Sequence, residues 1–147
     1  MKIWLFSILL FFSIDAFAKK AEIYTSFFSN VAVGGYDTVS YFSKNKPVKG
    51  NKKYQTKYNG VVWHFSNANN LKKFKVNPKK YAPQYGGYCA WAVAKNKTAK
   101  GDPLQWHIYN NKLYLNYDKR IKDKWLVNKK EFIKKANKNF PSVLDSY

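Results

Sequence analysis

The sequence is poor in cysteine, in arginine and in acidic residues. It has one cysteine, one arginine and 8 acidic residues against 27 basic ones. A single cysteine excludes an intramolecular disulfide, so packing alone must hold the fold. Scarce arginine argues against nucleic-acid recognition, because lysine cannot replace the bidentate guanidinium in phosphate and base contacts. The few carboxylates form no catalytic pair and no serine lies in a nucleophile-elbow motif, so we expect a binding protein rather than an enzyme.

Residues 1–18 have the three parts of a secretory signal peptide. Lys2 supplies the positive charge, residues 3–14 are apolar apart from two serines, and Ala16 and Ala18 are the small residues before the cut. The apolar run is shorter than the roughly twenty residues that span a bilayer. We therefore expect cleavage after Ala18, a periplasmic or secreted protein, and no transmembrane segment in what remains.

The net charge of +19 comes almost entirely from lysine. A charge of this size predicts association with anionic partners. Because export removes most nucleic-acid partners, the expected ones are anionic lipid or an acidic envelope polymer. One candidate function is therefore a cell-envelope interaction protein that binds such a surface through its lysines.

The rest of the chain predicts one α+β domain, residues 34–147, after a loose lead-in, residues 19–33. Asn59-Gly60 is a strong hairpin signal between strands 53–58 and 61–65. A second hairpin turns at Asn110-Asn111. Its register places His107 opposite Tyr114, Ile108 opposite Leu113 and Trp106 opposite Leu115.

The other predicted elements are one strand and several helices. Residues 36–42 favour a strand, and Ser66 is expected to cap a helix over 67–76. A short helix is expected to begin near Gly86-Gly87, and Asp118 to cap one or two helices ending at residue 139. We detect no internal repeat. These elements predict a small antiparallel sheet packed with a few helices, including a C-terminal one.

Four stretches follow one another in the order of a known family. They are Gly35-Tyr36-Asp37, residues 77–90 (NPKKYAPQYGGYCA), Gly101-Asp102-Pro103 and residues 113–117 (LYLNY). Over residues 34–140 the chain resembles the exported YHS domain-containing protein family. Shorter YHS domains occur in heavy-metal transporters and some oxygenases, where a cysteine pair near a strand–helix junction suggests metal binding. The corresponding junction here, residues 63–66 (WHFS), has no cysteine, so a metal site would need other residues.

Three side chains are candidate metal ligands: Cys89, His107 and His64. Cysteine and histidine together suit copper or zinc. No two of them have the short spacing of a local metal motif, so the fold would have to bring them together. The alternative is that both histidines are ordinary, partly solvated side chains.

Two interpretations of Cys89 remain open. If a helix begins at Gly86-Gly87, the thiol lies in its first turn, where backbone amides favour a thiolate that binds metal or reacts. Alternatively, Cys89 shares an apolar stripe with Ala92 and Val93 and is a buried structural thiol. A thiol-dependent enzyme is a further alternative.

Aromatic and glycine residues around this block are candidates for a small-ligand pocket, or otherwise for core packing and turn formation. They are Tyr36, Asp37, Tyr85, Gly86, Gly87, Tyr88 and Tyr114. The leading prediction is a non-catalytic binding module for a transition metal, copper before zinc, or for a small metal-containing ligand.

Overall fold

The computed structural model describes residues 19–145. The predicted signal peptide lies outside these described residues. The helices are α1 (Thr38–Ser43), α2 (Ala68–Val76), α3 (Pro78–Tyr81), α4 (Ala90–Ala94), α5 (Lys119–Val127) and α6 (Lys129–Asn139), and the strands are β1 (Asn51–Tyr58), β2 (Val61–Phe65), β3 (Asp102–Tyr109) and β4 (Lys112–Asn116). This confirms the predicted α+β class. No helix within the described range is both long and apolar enough to cross a membrane.

The four strands form two separate antiparallel hairpins, β1–β2 and β3–β4. Asn59 and Gly60 in the first turn, and Asn110 and Asn111 in the second, all have positive φ. Two consecutive residues of this kind match the twist of the flanking strands, which is why both turns were predictable. The predicted register of the second hairpin is confirmed, with His107 opposite Tyr114.

The predicted strand over residues 36–42 is wrong, because this segment forms α1. The Asp37 carboxylate accepts hydrogen bonds from the backbone N–H groups of Val39 (2.9 Å) and Ser40 (3.2 Å). This N-cap satisfies two donors that the first helical turn leaves unpaired. The cap and the buried face of α1 override the strand preference of its aromatic and β-branched residues.

The short helix after the glycines begins later than predicted. Tyr85, Gly86 and Gly87 have φ values of 58°, 62° and 84°, which a right-handed helix cannot contain. Helix α4 therefore starts at Ala90, and Cys89 is the residue before it. The sequence suggested that the thiol lies in the first turn of this helix, but Cys89 precedes the helix.

The other helices follow the sequence closely. Helix α2 begins one residue late, and Asn67, rather than Ser66, caps it by accepting a bond from the backbone N–H of Asn70 (2.8 Å). Asp118 caps α5 as predicted, through the N–H of Ile121 (2.7 Å). A second helix, α6, completes the C-terminal pair.

The domain is built from two copies of one structural unit, which we call unit 1 (residues 32–81) and unit 2 (residues 84–139). Each begins with a 3₁₀ turn that contains three consecutive residues of positive φ. Each continues through a short helix, an eight-residue strand, a five-residue strand and a nine-residue helix. The expectation of no internal repeat is therefore wrong at the level of structure.

Each unit has its own aromatic core. In unit 1, the Phe74 ring packs against Trp63 and Phe65, with ring centroids 5.0 and 4.8 Å apart. In unit 2, Trp125 packs against Tyr114, with centroids 5.3 Å apart. Such rings bury large apolar areas, which is how a chain without disulfides can hold this fold.

The lead-in, residues 19–33, is docked rather than loose. Ile23 is buried in a cluster that combines the core of unit 1 with Leu113 and Leu115 of unit 2. The backbone N–H of Tyr24 donates to the Gly86 carbonyl (2.8 Å), and the Tyr88 hydroxyl donates to the Ala21 carbonyl (2.7 Å). The lead-in thus connects the two units.

Candidate functional site

Cys89 lies at the floor of a cleft of about 240 Å³ in unit 2. The residue is 1% exposed, and its backbone N–H donates to the Ala99 carbonyl (2.9 Å). The walls of the cleft are aromatic, aliphatic and cationic. They comprise Trp91, Ala92, Ala99, Tyr117, Arg120 and Ile121.

Two opposing effects act on the Cys89 thiol. Burial raises its pKa, and the backbone N–H groups of Ala92, Tyr117 and Trp91 oppose that rise, while the Asp118 carboxylate adds to it. The burial effect is the larger, so the free thiol is protonated at neutral pH. The three N–H groups nonetheless favour negative charge on the sulfur once the proton is lost.

Asn116 completes the surroundings of the thiol. Its side chain is fully buried, and its Oδ1 accepts from the Trp91 N–H (3.2 Å) and lies 3.6 Å from Cys89 Sγ. The Trp91 bond fixes which end of the carboxamide is oxygen. The other end, Nδ2, has no hydrogen-bond partner among the described residues.

Asp37 is the counterpart of Cys89 in unit 1. Its carboxylate is fully buried, and besides the two bonds that cap α1 it accepts from the Ser66 N–H (2.8 Å), the Ser66 hydroxyl (2.6 Å) and Asn70 Nδ2 (2.8 Å). Five donors therefore bind this buried anion. This accounts for Asp37 as a structural group that joins α1 to the β2–α2 junction.

The same three backbone positions surround the acidic group in both units. The N–H groups of Val39, Ser40 and Ser66 in unit 1 correspond to those of Trp91, Ala92 and Tyr117 in unit 2. We call each set of three N–H groups an amide cradle. In unit 1 all three N–H groups donate to the carboxylate, whereas in unit 2 the Trp91 N–H donates to Asn116 Oδ1, which also accepts from the Cys89 thiol.

The two candidate histidines lie in different hairpins. His64 is in β2, where burial and the nearby Lys52 lower its pKa. His107 is in β3 against the Trp125 ring, at a centroid distance of 5.8 Å, and its pKa is lowered by burial and by Lys129 and Lys122. Both imidazoles are therefore neutral at neutral pH.

The structure does not gather the three predicted metal ligands into one site. Within residues 19–145, no group of three or more His, Cys, Asp or Glu side chains is arranged to hold a metal ion. His64 and His107 belong to separate two-stranded sheets, so their strands are not hydrogen-bonded neighbours. Cys89 is thus the candidate ligand with a defined cleft.

Of the seven residues predicted to line a ligand pocket, the structure brings Tyr85 and Gly86 to one cleft of about 600 Å³. There the Tyr85 hydroxyl donates to Asn137 Oδ1 (2.8 Å), and Lys79 and Lys112 contribute positive charge. The others are placed elsewhere. Tyr36 lies under the ammonium of Lys49, and Asp37 is bound by the unit 1 cradle. Gly87 lines a smaller cleft. The Tyr88 hydroxyl donates to the lead-in, and Tyr114 packs on Trp125.

Sequence reasoning missed Asn116 and the cradle. Asn116 ends β4 within the LYLNY motif, where a polar residue is ordinarily expected to face solvent. A signal was present in the glycine pairs, because Val33-Gly34-Gly35-Tyr36 and Tyr85-Gly86-Gly87-Tyr88 open the two units. Aligning these motifs places Asp37 and Cys89 at the same position.

One comparison with known proteins matches part of the chain. Residues 39–85 match the family model of the YHS domain. The match runs from α1 through α3 into the 3₁₀ turn of unit 2, so it covers most of unit 1 and ends before Cys89. No curated protein and no solved structure matches the chain. The match to residues 39–85 is consistent with a YHS domain-containing protein.

Proposed function

We propose that this protein is an exported, non-catalytic binding module that takes up a transition metal ion, copper before zinc, at Cys89. YHS domains as a class are associated with metal binding, which supports the general role. The observation that carries the proposal is the position of the one sulfur ligand. Cys89 lies at the floor of a cleft, and neighbouring backbone N–H groups lower the pKa of its thiol against the larger effect of burial.

The cradle favours a metal-bound thiolate over a free one. Metal binding displaces the thiol proton and leaves negative charge on sulfur. Hydrogen bonds from backbone N–H groups then stabilise that charge, as they do at other metal–thiolate centres. The raised pKa of the free thiol keeps Cys89 protonated until a metal ion displaces the proton.

The residues present suit copper better than zinc. A structural zinc site takes four protein ligands, and the described residues supply no group of three. Cu(I) prefers soft thiolate ligands, so one protein sulfur and a ligand from outside the chain suit it. His107 and then His64 are the next candidate ligands, and neutral imidazoles are the form that binds metal.

Anaerobic equilibrium dialysis against Cu(I) tests this proposal. We expect one equivalent to bind the wild-type domain and none to bind Cys89→Ser. His107→Gln and His64→Gln are matched controls, and loss of affinity in either would add that histidine to the site. Equal uptake by Cys89→Ser and wild type would show that the metal site lies elsewhere. Circular dichroism establishes that each variant is folded.

A second candidate function is association with an anionic membrane surface. Phe27 and Phe28 are 92% and 94% exposed, and their rings contact each other at a centroid distance of 4.9 Å. The turn that displays them is closed by the Ser29 N–H, which donates to the Ser26 carbonyl (3.0 Å). An exposed aromatic pair on a chain of net charge +19 fits a bilayer with anionic headgroups.

Sedimentation with lipid vesicles tests the membrane candidate. We expect binding to vesicles that contain phosphatidylglycerol, weaker binding at high salt, and loss of binding in the Phe27→Ser/Phe28→Ser double variant. Burying one such ring contributes about 1.5–3 kcal/mol. Val127→Ser is the matched control, because Val127 is 87% exposed on another part of the surface. Binding that is indifferent to both salt and the double substitution would contradict this candidate.

A further inference from the structure

The cleft of about 600 Å³ lies where three parts of the chain meet, and we call it the junction cleft. Among the residues that line it, Glu22 comes from the lead-in, Lys79 from unit 1 and Lys112 from unit 2. Small-molecule sites have volumes of about 300–1,000 Å³ and favour the boundaries between structural units. The junction cleft therefore has the size and the position of a small-ligand site.

Glu22 is the one carboxylate within residues 19–145 that has neither an ion pair nor a hydrogen bond to another described residue. The other acidic side chains in this range are all engaged, some by backbone N–H groups and the rest by lysines. They are Asp37, Asp102, Asp118, Asp123, Glu131 and Asp145. On a chain with 27 basic residues, an unpaired carboxylate at a cleft is available to a cationic group from outside the chain.

Two ammonium groups at the same cleft are also unpaired. Lys79 and Lys112 have no ion pair and no ring contact among the described residues, whereas Lys80 and Lys129 lie over the rings of neighbouring tyrosines. Neither Lys79 nor Lys112 pairs with Glu22, although all three line the junction cleft. A ligand that carries both an ammonium and a carboxylate would complement these charges.

The neutral part of the lining suits a peptide group and an apolar side chain. The carboxamides of Asn59, Gln84 and Asn137 line the cleft, and a carboxamide both donates and accepts hydrogen bonds, as a peptide group does. Asn137 Oδ1 accepts from the Tyr85 hydroxyl (2.8 Å), which leaves its Nδ2 for a ligand. The Phe140 ring, packed on Tyr85 at a centroid distance of 5.7 Å, adds an apolar wall.

The backbone of Glu22 is fixed in place at the junction cleft. The next residue but one, Tyr24, donates its N–H to the Gly86 carbonyl (2.8 Å), and the Ala21 carbonyl accepts from the Tyr88 hydroxyl (2.7 Å). The Glu22 carbonyl lies so close to Gly86 that a Cβ there would collide with it. A wall that is already ordered lowers the entropic cost of binding a ligand.

We propose that the junction cleft binds a short zwitterionic peptide of about dipeptide size. The ammonium of the peptide pairs with Glu22, and its carboxylate pairs with Lys79 and Lys112. Because two cations face one anion, the carboxylate contributes more to affinity than the ammonium does. The junction cleft does not include Cys89, so this binding is independent of metal uptake.

An NMR titration of the metal-free, isotope-labelled protein with alanylphenylalanine tests the proposal. We expect saturable shifts of the backbone amides of Tyr85 and Lys112. The N-acetyl derivative and the C-terminal amide each lack one charge, and each should bind about two- to fivefold more weakly, the amide being the weaker. No saturable shift at millimolar dipeptide, or equal affinity for all three compounds, would overturn the proposal.

Two variants assign the charges to the ligand groups that they bind. Glu22→Gln should weaken binding of the dipeptide about two- to fivefold and leave the affinity for the N-acetyl derivative unchanged. The Lys79→Gln/Lys112→Gln double variant should weaken binding of the dipeptide and leave the affinity for the amide unchanged. A Glu22 variant that loses affinity equally for the dipeptide and its N-acetyl derivative would contradict the assigned pairing.

Two controls complete the experiment. Lys46→Gln removes an exposed lysine that does not line the cleft, so affinity should not change. A loss as large as that of the double variant would show that only the overall charge matters, and would overturn the proposal. Cys89→Ser should bind the dipeptide as the wild type does, so failure of the junction cleft is distinguishable from failure of metal uptake.

Discussion

Asp37 and Cys89 occupy the same position in the two units of this domain, and the residues whose N–H groups bind Asp37 have positional equivalents beside Cys89. In unit 1 the cradle binds the Asp37 carboxylate, which also accepts hydrogen bonds from two side-chain donors. Unit 2 places a thiol there, under a cleft and beside an unpaired carboxamide N–H. Unit 1 is thus fully hydrogen-bonded at this position and has a structural role there, whereas unit 2 can still bind a ligand or react at this position.

The first prediction concerns the stability of unit 1. Asp37→Ala removes a buried carboxylate that five donors bind, and leaves those donors unpaired. Since each buried unpaired group is costly, we expect the free energy of unfolding to fall by about 3 kcal/mol or more. Urea denaturation followed by tryptophan fluorescence measures this change.

Asp102→Ala is the matched control for this substitution. Asp102 Oδ1 accepts a single, exposed hydrogen bond from the Leu104 N–H (2.8 Å). Its loss should cost less than about 1 kcal/mol. Similar losses for the two variants would contradict the structural role assigned to Asp37.

The second prediction compares the glycines at equivalent positions of the two 3₁₀ turns. Gly34 and Gly86 have φ values of 58° and 62°, so an alanine is equally strained at both. Their surroundings differ, because a Cβ at Gly86 would collide with the Glu22 carbonyl, whereas at Gly34 the nearest atom is the Pro103 ring at 3.4 Å. We expect Gly34→Ala to cost about 1 kcal/mol and Gly86→Ala clearly more.

Hydrogen exchange identifies the cause of the additional loss. The Tyr24 N–H, which donates to the Gly86 carbonyl, should lose protection in Gly86→Ala and keep it in Gly34→Ala. This outcome would show that the lead-in dissociates from unit 2. Equal protection in both variants would mean that the docked lead-in contributes little.

The third prediction concerns pH. Burial lowers the pKa of both His64 and His107, and the nearby lysines lower it further. The unfolded chain therefore binds protons more readily than the folded one near the ordinary histidine pKa of about 6.5. Stability should be full above that pH and should decrease as the pH falls through it.

An NMR titration of the two imidazoles tests this directly. Both should titrate below about 6.5. Lys52→Gln should raise the pKa of His64 and leave that of His107 unchanged, since Lys52 acts on His64. A Lys52 variant in which neither pKa moves would contradict the assigned electrostatics.

The sequence was sufficient to predict both hairpins because their information is local. Asn59-Gly60 and Asn110-Asn111 specify the turns, and alternating apolar residues fix the register of Trp106 and Ile108. The cap at Asp118 was equally predictable, because a side-chain acceptor just before an apolar periodic run is a local signal.

The prediction of α1 and of the candidate site failed because both depend on distant contacts. Asp37 caps α1 and also bonds Ser66, which is far from it in sequence. The cradle around Cys89 combines amides that follow it with that of Tyr117, which lies beyond the second hairpin. No local pattern brings such groups together, so only the repeated unit reveals them.

Metal content combined with thiol titration tests the central claim most directly. The protein is purified without chelator or affinity tag, and Cys89 is titrated before and after the metal is stripped. We predict close to one equivalent of copper, with Cys89 unreactive until stripping and accessible through its cleft afterwards. Metal-free protein that also refuses added Cu(I) would contradict the proposed function and leave Cys89 without a role in metal binding.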